Sequence, residues 1–163
     1  MAPVSIFSDN VRENPPASPE PSSPLNARNL AFLDSLKSAY PDFFFKPGRK
    51  FLFRPKRTIF YLEDNDNFRF LLLHELAHAL LKHFSYDTSL ERLTLERDAW
   101  EKTRQLCSDY KVPFLDSLAE AELNTYRDWL HKKTLCKTCG LSCLEVNSES
   151  LYCPFCQKTY PRP

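Results

Sequence analysis

The chain has 163 residues, 42% of them hydrophobic, and a formal net charge of +1 at pH 7. That length suits one modest core domain and a small appendage. A balance so near zero gives the whole molecule no electrostatic pull towards nucleic acid or an anionic membrane surface.

Six of the thirteen prolines fall within residues 1–24, among serines and small polar side chains. Such a stretch buries too little apolar surface to offset its ordering entropy, so residues 1–25 read as a disordered tail. From Asn26 the pattern turns helical, with Leu30, Leu33 and Leu36 at spacings of three until Pro41. Three short apolar runs follow, Phe43–Phe45, Lys50–Phe53 and Thr58–Leu62. Pro47-Gly48 and Pro55-Lys56 separate them, which predicts a small antiparallel meander. Asn65 or Asn67 can cap the next helix, expected to run to about Phe84 and to be buried all round. Another helix starts at Thr88 or Ser89, where Thr88-x-x-Glu91 is a capping-box pattern, and continues to about Tyr110. After Pro113 a last helix is expected over residues 116–131. The most apolar stretch, Phe68 to Leu81, contains Arg69, His74, Glu75 and His78 and is too short and polar to cross a bilayer. With no basic or apolar leader at the N-terminus, a cytoplasmic protein is expected.

His74-Glu75-Leu76-Ala77-His78 carries the chemistry. Two histidines four apart on a helix lie about 40° apart around its axis, so both imidazoles can reach one ion. Glu75, about 100° from His74, can address a water at that ion without being a ligand. A buried carboxylate among so many leucines needs a partner, which a metal supplies. Zinc takes nitrogen and oxygen ligands in a tetrahedron and in catalytic sites keeps one position open. A third ligand is therefore required. His83 falls about 180° from His74 on a continuous helix and points away; near the helix end its imidazole suits the dipole. Glu96 is the better candidate. It shares an apolar stripe with Leu93, Ala99, Trp100, Thr103 and Cys107, whereas Arg97, Asp98, Glu101, Arg104 and Gln105 lie opposite. The chemistry expected is attack on a peptide carbonyl. Zinc lowers the pKa of water and polarises the carbonyl oxygen, and Glu75 takes the proton. Tyr86, Tyr110, Tyr126 and His131 are candidate transition-state donors.

Cys136-Lys-Thr-Cys139 and Cys153-Pro-Phe-Cys156 are thirteen residues apart. Two such knuckles make a closed four-cysteine site, and closed zinc sites are structural. Cys143 could compete as a ligand, and Cys107 reads as a core thiol. Arg127, His131, Lys132, Lys133 and Lys137 gather around the start of this ribbon, so nucleic-acid contact through it is a minor expectation.

The run Phe68-Arg-Phe-Leu-Leu-Leu-His-Glu-Leu-Ala-His-Ala-Leu-Leu-Lys-His83, with Glu96-Arg-Asp-Ala99, resembles the ImmA/IrrE metallopeptidases over roughly residues 26–115. The resemblance implies ligands at His74, His78 and Glu96, with Glu75 as base. It also implies an α+β, zincin-like core of helices packed on a short antiparallel sheet. Members of that family cleave or regulate partner transcriptional repressors, so a protein substrate, of the repressor type, is expected. Ala77 stands where glycine is common, and Trp100 where a small or polar residue is usual. The expected layout is a tail over 1–25, a metallopeptidase domain over 26–132 and a zinc ribbon over 133–163, with one catalytic and one structural zinc. Two alternatives remain. A SprT-like protease also joins such a core to a ribbon and works near DNA, but takes its third ligand from a later histidine, here His83 or His131. A non-catalytic module could use the ribbon for binding on a vestigial scaffold.

Overall fold

The structure, a computed structural model, describes residues 27–147 and 149–161. The tail expected over 1–25 lies outside them. The described residues make an α+β protein with helices α1 (Ala27–Ala39), α2 (Phe68–Leu80), α3 (Ser89–Asp109) and α4 (Asp116–Thr134). Its strands are β1 (Phe44–Pro47), β2 (Leu52–Arg54), β3 (Thr58–Tyr61), β4 (Leu144–Glu145), β5 (Ser150–Cys153) and β6 (Lys158–Pro161). They divide into two compact units. One holds the described residues up to Phe84 with Ala99–Phe114, and the other Ser85–Asp98 with the residues from Leu115 onward. Helix α3 runs unbroken through that division. Among the described residues no helix is long and apolar enough to cross a membrane.

In the first unit the expected meander is corrected to a mixed sheet of order β1-β3-β2. β1 runs parallel to β3, Phe45 opposite Ile59, while β2 runs antiparallel to it, Phe53 opposite Ile59. The chain leaving β1 does not turn back beside it but crosses the end of β3 and returns on its far side as β2. Gly48 donates to the Tyr61 carbonyl at 2.8 Å. A Cβ on Gly48 would meet the Phe60 side chain at 3.2 Å, so a larger residue would require that side chain to give by a few tenths of an ångström. The β2–β3 turn needs left-handed backbone at Lys56 and Arg57, with φ of 76° and 57°.

Phe53 and Ile59 lie fully buried on this sheet, and Leu33 and Leu36 of α1 are buried in the same unit. In α2, ten of thirteen residues are buried, His74, Glu75 and His78 among them. That is the all-round burial expected of a central helix. Asn65 leads into it, its Oδ1 accepting from the Asn67 amide at 2.8 Å.

α2 ends at Leu80, not near Phe84. Lys82 adopts φ 58°. Its amide donates to the Ala79 carbonyl at 3.2 Å and the His83 amide to the His78 carbonyl at 3.1 Å. Those two bonds are a Schellman motif with lysine at its left-handed position. α3 stops the same way, with Lys111 at φ 53° and Val112 donating to the Cys107 carbonyl at 2.9 Å. Lysine, a poor left-handed residue, occupies both of these positions, so no glycine marks either stop in the sequence.

At its start α3 is capped as expected: Thr88 Oγ1 accepts from the Glu91 amide at 3.0 Å, and Glu91 Oε2 from the Asp87 amide at 2.7 Å. In the second unit, Glu145 of β4 adds to this cap. Its Oε2 accepts from the Ser89 amide at 2.8 Å, placing a carboxylate at the helix's positive end. The ribbon strands β4, β5 and β6 form an antiparallel sheet in that order.

Candidate metal centres

His74, His78 and Glu96 each present one ligand atom, and these atoms lie within 4.8 Å of one another. All three residues are buried, at 7%, 1% and 2% exposure. The two histidine Nε2 atoms are 3.2 Å apart. In a tetrahedron with zinc–nitrogen bonds of about 2.0–2.1 Å, the nitrogens are about 3.3 Å apart. Nitrogen, nitrogen and carboxylate oxygen is a donor set that suits zinc, and other divalent ions accept it too. The chemistry and spacing of these residues therefore fit a metal ion.

The chain around each donor fixes how it is presented. His74 Nδ1 lies 3.3 Å from Thr103 Oγ1, and that hydroxyl gives its only proton to the Ala99 carbonyl at 2.7 Å. Thr103 can then only accept from His74, so His74 carries its proton on Nδ1 and keeps a lone pair on Nε2. The Trp100 ring stacks on the His74 ring, centroids 3.6 Å apart at 19°. Phe70 backs the tryptophan at 5.3 Å. Trp100 Nε1 has no hydrogen-bond partner among the described residues, so Trp100 serves this place as a flat wall.

Glu96 owes its position to the helical stripe read from the sequence. Ala99, Trp100, Thr103 and Cys107 are all buried on it, whereas Arg97, Glu101, Arg104 and Gln105 are exposed. The Tyr126 hydroxyl hydrogen-bonds to Glu96. Burial first, and then the Glu96 charge, push that phenol well above its ordinary value, which keeps it a donor. Arg92, one turn before Glu96 on α3, lies over the Tyr126, Trp129 and Tyr86 rings at 5.1, 4.9 and 5.4 Å.

Glu75 is not one of the three grouped residues. Its Oε2 accepts from the Phe53 amide at 2.6 Å. β2 is the edge of its sheet, so this N–H points away from β3 and holds the carboxylate. Of the proposed donors, only Tyr126 reaches a grouped residue, and it does so through Glu96. The Tyr86 hydroxyl accepts from Arg92 at 3.3 Å, Tyr110 hydrogen-bonds Tyr40, and His131 is exposed.

His83 is outside the grouped residues as well, but it does not point away. It is buried, and its Nδ1 lies 3.0 Å from His78 Nδ1. A phase of 180° holds only on a continuous helix, and the Schellman turn at Lys82 ends α2 before His83.

The second group is Cys136, Cys139, Cys153 and Cys156, with ligand atoms again within 4.8 Å of one another. All six cysteines are free thiols. Cys136 and Cys156 sulfurs are 4.0 Å apart, Cys139 and Cys153 sulfurs 3.7 Å. Sulfurs around a tetrahedral zinc with bonds of about 2.3 Å are about 3.8 Å apart. In each knuckle an amide points back at a thiol, Thr138 at Cys136 and Cys156 at Cys153, both at 3.4 Å. Gly140 at φ 73° closes the first turn and Gln157 at φ 53° follows the second.

The Tyr160 hydroxyl, 3.4 Å from the Cys136 sulfur, and the amides of Cys139 and Thr138 bring that thiol down to about 5. Cys156 is pushed up to about 12, first by its hydrogen bond with Cys139 and then by burial. Crowded thiols cannot all ionise together unless a cation neutralises them. Cys143 is a fifth thiol beside this group, packed with Cys136, Leu151 and Cys153, and burial raises it to about 11. It is not one of the four grouped ligands.

Comparison of the chain with protein-family models, with curated proteins and with solved structures finds no match. The site's own geometry therefore carries the functional reading. Thr103, Trp100, Tyr126, Tyr160, Glu145 and the Phe53 amide were not anticipated in these positions. The first two had a sequence signal in their place on the Glu96 stripe, and Tyr126 was a candidate only as a transition-state donor.

Proposed function

We infer that this chain is a zinc-dependent metallopeptidase with a zincin-like core and a zinc ribbon. The observation that carries the reading is the close approach of His74 Nε2, His78 Nε2 and a Glu96 oxygen, with Glu75 beside His74 on the same buried helix. His74, His78 and Glu96 hold the catalytic zinc, and Cys136, Cys139, Cys153 and Cys156 the structural one. A zinc ion at the first site supplies a Lewis acid for a substrate carbonyl.

The chain's own part is proton handling. Glu75 takes a proton from the attacking water and returns it to the leaving amine. The Phe53 amide fixes the carboxylate for that task through Oε2. Tyr126 and Thr103 hold Glu96 and His74 in orientation. The resemblance to ImmA/IrrE enzymes supports a protein substrate of the repressor type. A metal role for the four paired cysteines suits a reducing compartment, and so the cytoplasm. Glu96 in the ligand group, and His83 and His131 outside it, favour this reading over a SprT-like protease.

The test is Glu75→Gln. Two zinc ions per chain should be retained while cleavage of a proteome-derived peptide library, read as new N-termini, falls at least 100-fold. Undiminished cleavage by the variant would remove Glu75 from the mechanism and the peptidase reading with it.

A further inference from the structure

We propose that His83 is a positioning residue that selects the tautomer of His78 in which Nε2 is a metal ligand. The inference rests on the metal reading of His74, His78 and Glu96 but concerns a residue outside that set. It begins with the backbone. In a Schellman motif the residue after the left-handed position lies over the residue five before it, and the two side chains commonly touch. In α2 that pair is His83 and His78, joined through the backbone at 3.1 Å. A contact that is usually apolar is here imidazole on imidazole, ring centroids 5.2 Å apart at 71°.

The Nδ1 atoms are 3.0 Å apart, so one donates and the other accepts. If His83 donates, neutral His78 carries its proton on Nε2, which faces His74 Nε2 at 3.2 Å. A proton there excludes a metal. If His78 donates, its Nε2 lone pair faces the same point as that of His74. Thr103 imposes the matching tautomer on His74. With His83 as the acceptor, Thr103 and His83 give the two imidazoles one arrangement, Nδ1–H outward and Nε2 inward. A ligating histidine ordinarily gives its second N–H to a carboxylate, carbonyl or water. Here a third histidine accepts it, delivered by a turn and not by helical phase.

The experiment uses the full chain. Zinc affinity at the histidine site is measured by chelator competition for wild type, His83→Ala and His83→Asn, with the cysteine site as internal reference. The His78 tautomer is read from imidazole nitrogen NMR. Loss of the acceptor should weaken zinc about 10–100-fold in His83→Ala. His83→Asn, whose amide oxygen can accept, should recover most of that loss, and wild-type His78 should carry its proton on Nδ1. Zinc binding by His83→Ala within twofold of wild type overturns the proposal. So does equal weakening by both variants, since His83 would then only fill space. If His83→Ala fails to fold, the wild-type spectrum decides, and a His78 proton on Nε2 overturns the assignment. A wild-type chain that binds zinc only at its cysteines fails at the earlier step, and removes the metal reading together with this one.

Discussion

At the scale of single residues, the site depends on how each donor is aimed more than on which donors are present. His74, Glu75 and His78 were legible in the sequence, because a spacing of four on a helix states their geometry outright. Glu96 was legible from its stripe, since a lone carboxylate on an apolar face demands a partner. His83 stays outside the ligand group as its phase predicts, but its direction was not legible, because Lys82 takes a left-handed φ of 58° with no glycine to announce it. Lys82 is exposed, so its side chain contributes little to offset that strain. Replacing it with glycine should stabilise the chain by about 0.5–1 kcal/mol, the left-handed cost less the added freedom of the unfolded chain. Chemical denaturation measures this. A destabilised Lys82→Gly variant would show that the turn is held by contacts of the lysine itself.

At the scale of elements, helix α3 does several jobs with one stripe. Glu96 serves the candidate metal site, Thr103 and Trp100 orient His74, and Cys107 closes the turn after the helix through its carbonyl. Burial holds the Cys107 thiol up at about 11, against an ordinary 9.0, with Arg104 pulling the other way. The unfolded chain therefore ionises this thiol first. Its contribution to stability is intact below pH 9 and is lost as pH climbs towards 11. Urea unfolding over that range should fall less steeply with pH in Cys107→Ala than in wild type; parallel slopes would mean the thiol is as well solvated folded as unfolded. The capping box at Thr88 was readable because its partners are three residues apart. Glu145 of β4, which caps the same helix end, was not, because 56 residues separate it from Ser89. The mixed sheet was missed for a related reason. Short apolar runs predict strands, but the crossing at Gly48 is held by a backbone bond to Tyr61, a pairing that no local pattern encodes.

At the scale of the molecule, two donor sets of different character stand in one chain. The cysteine set has four candidate ligands, which would fill a tetrahedral ion, whereas the histidine–glutamate set has three, which would leave one position open. Paired Cys-x-x-Cys spacing made the first legible, and His-Glu-x-x-His most of the second. The compact units were harder to foresee, because their division falls inside α3 and composition does not change there. If both sets hold zinc, elemental analysis of the purified full chain should find two zinc ions per wild-type chain and one in His74→Ala, with the cysteine site still filled. One zinc in both proteins would contradict this and leave the buried histidines without a metal role.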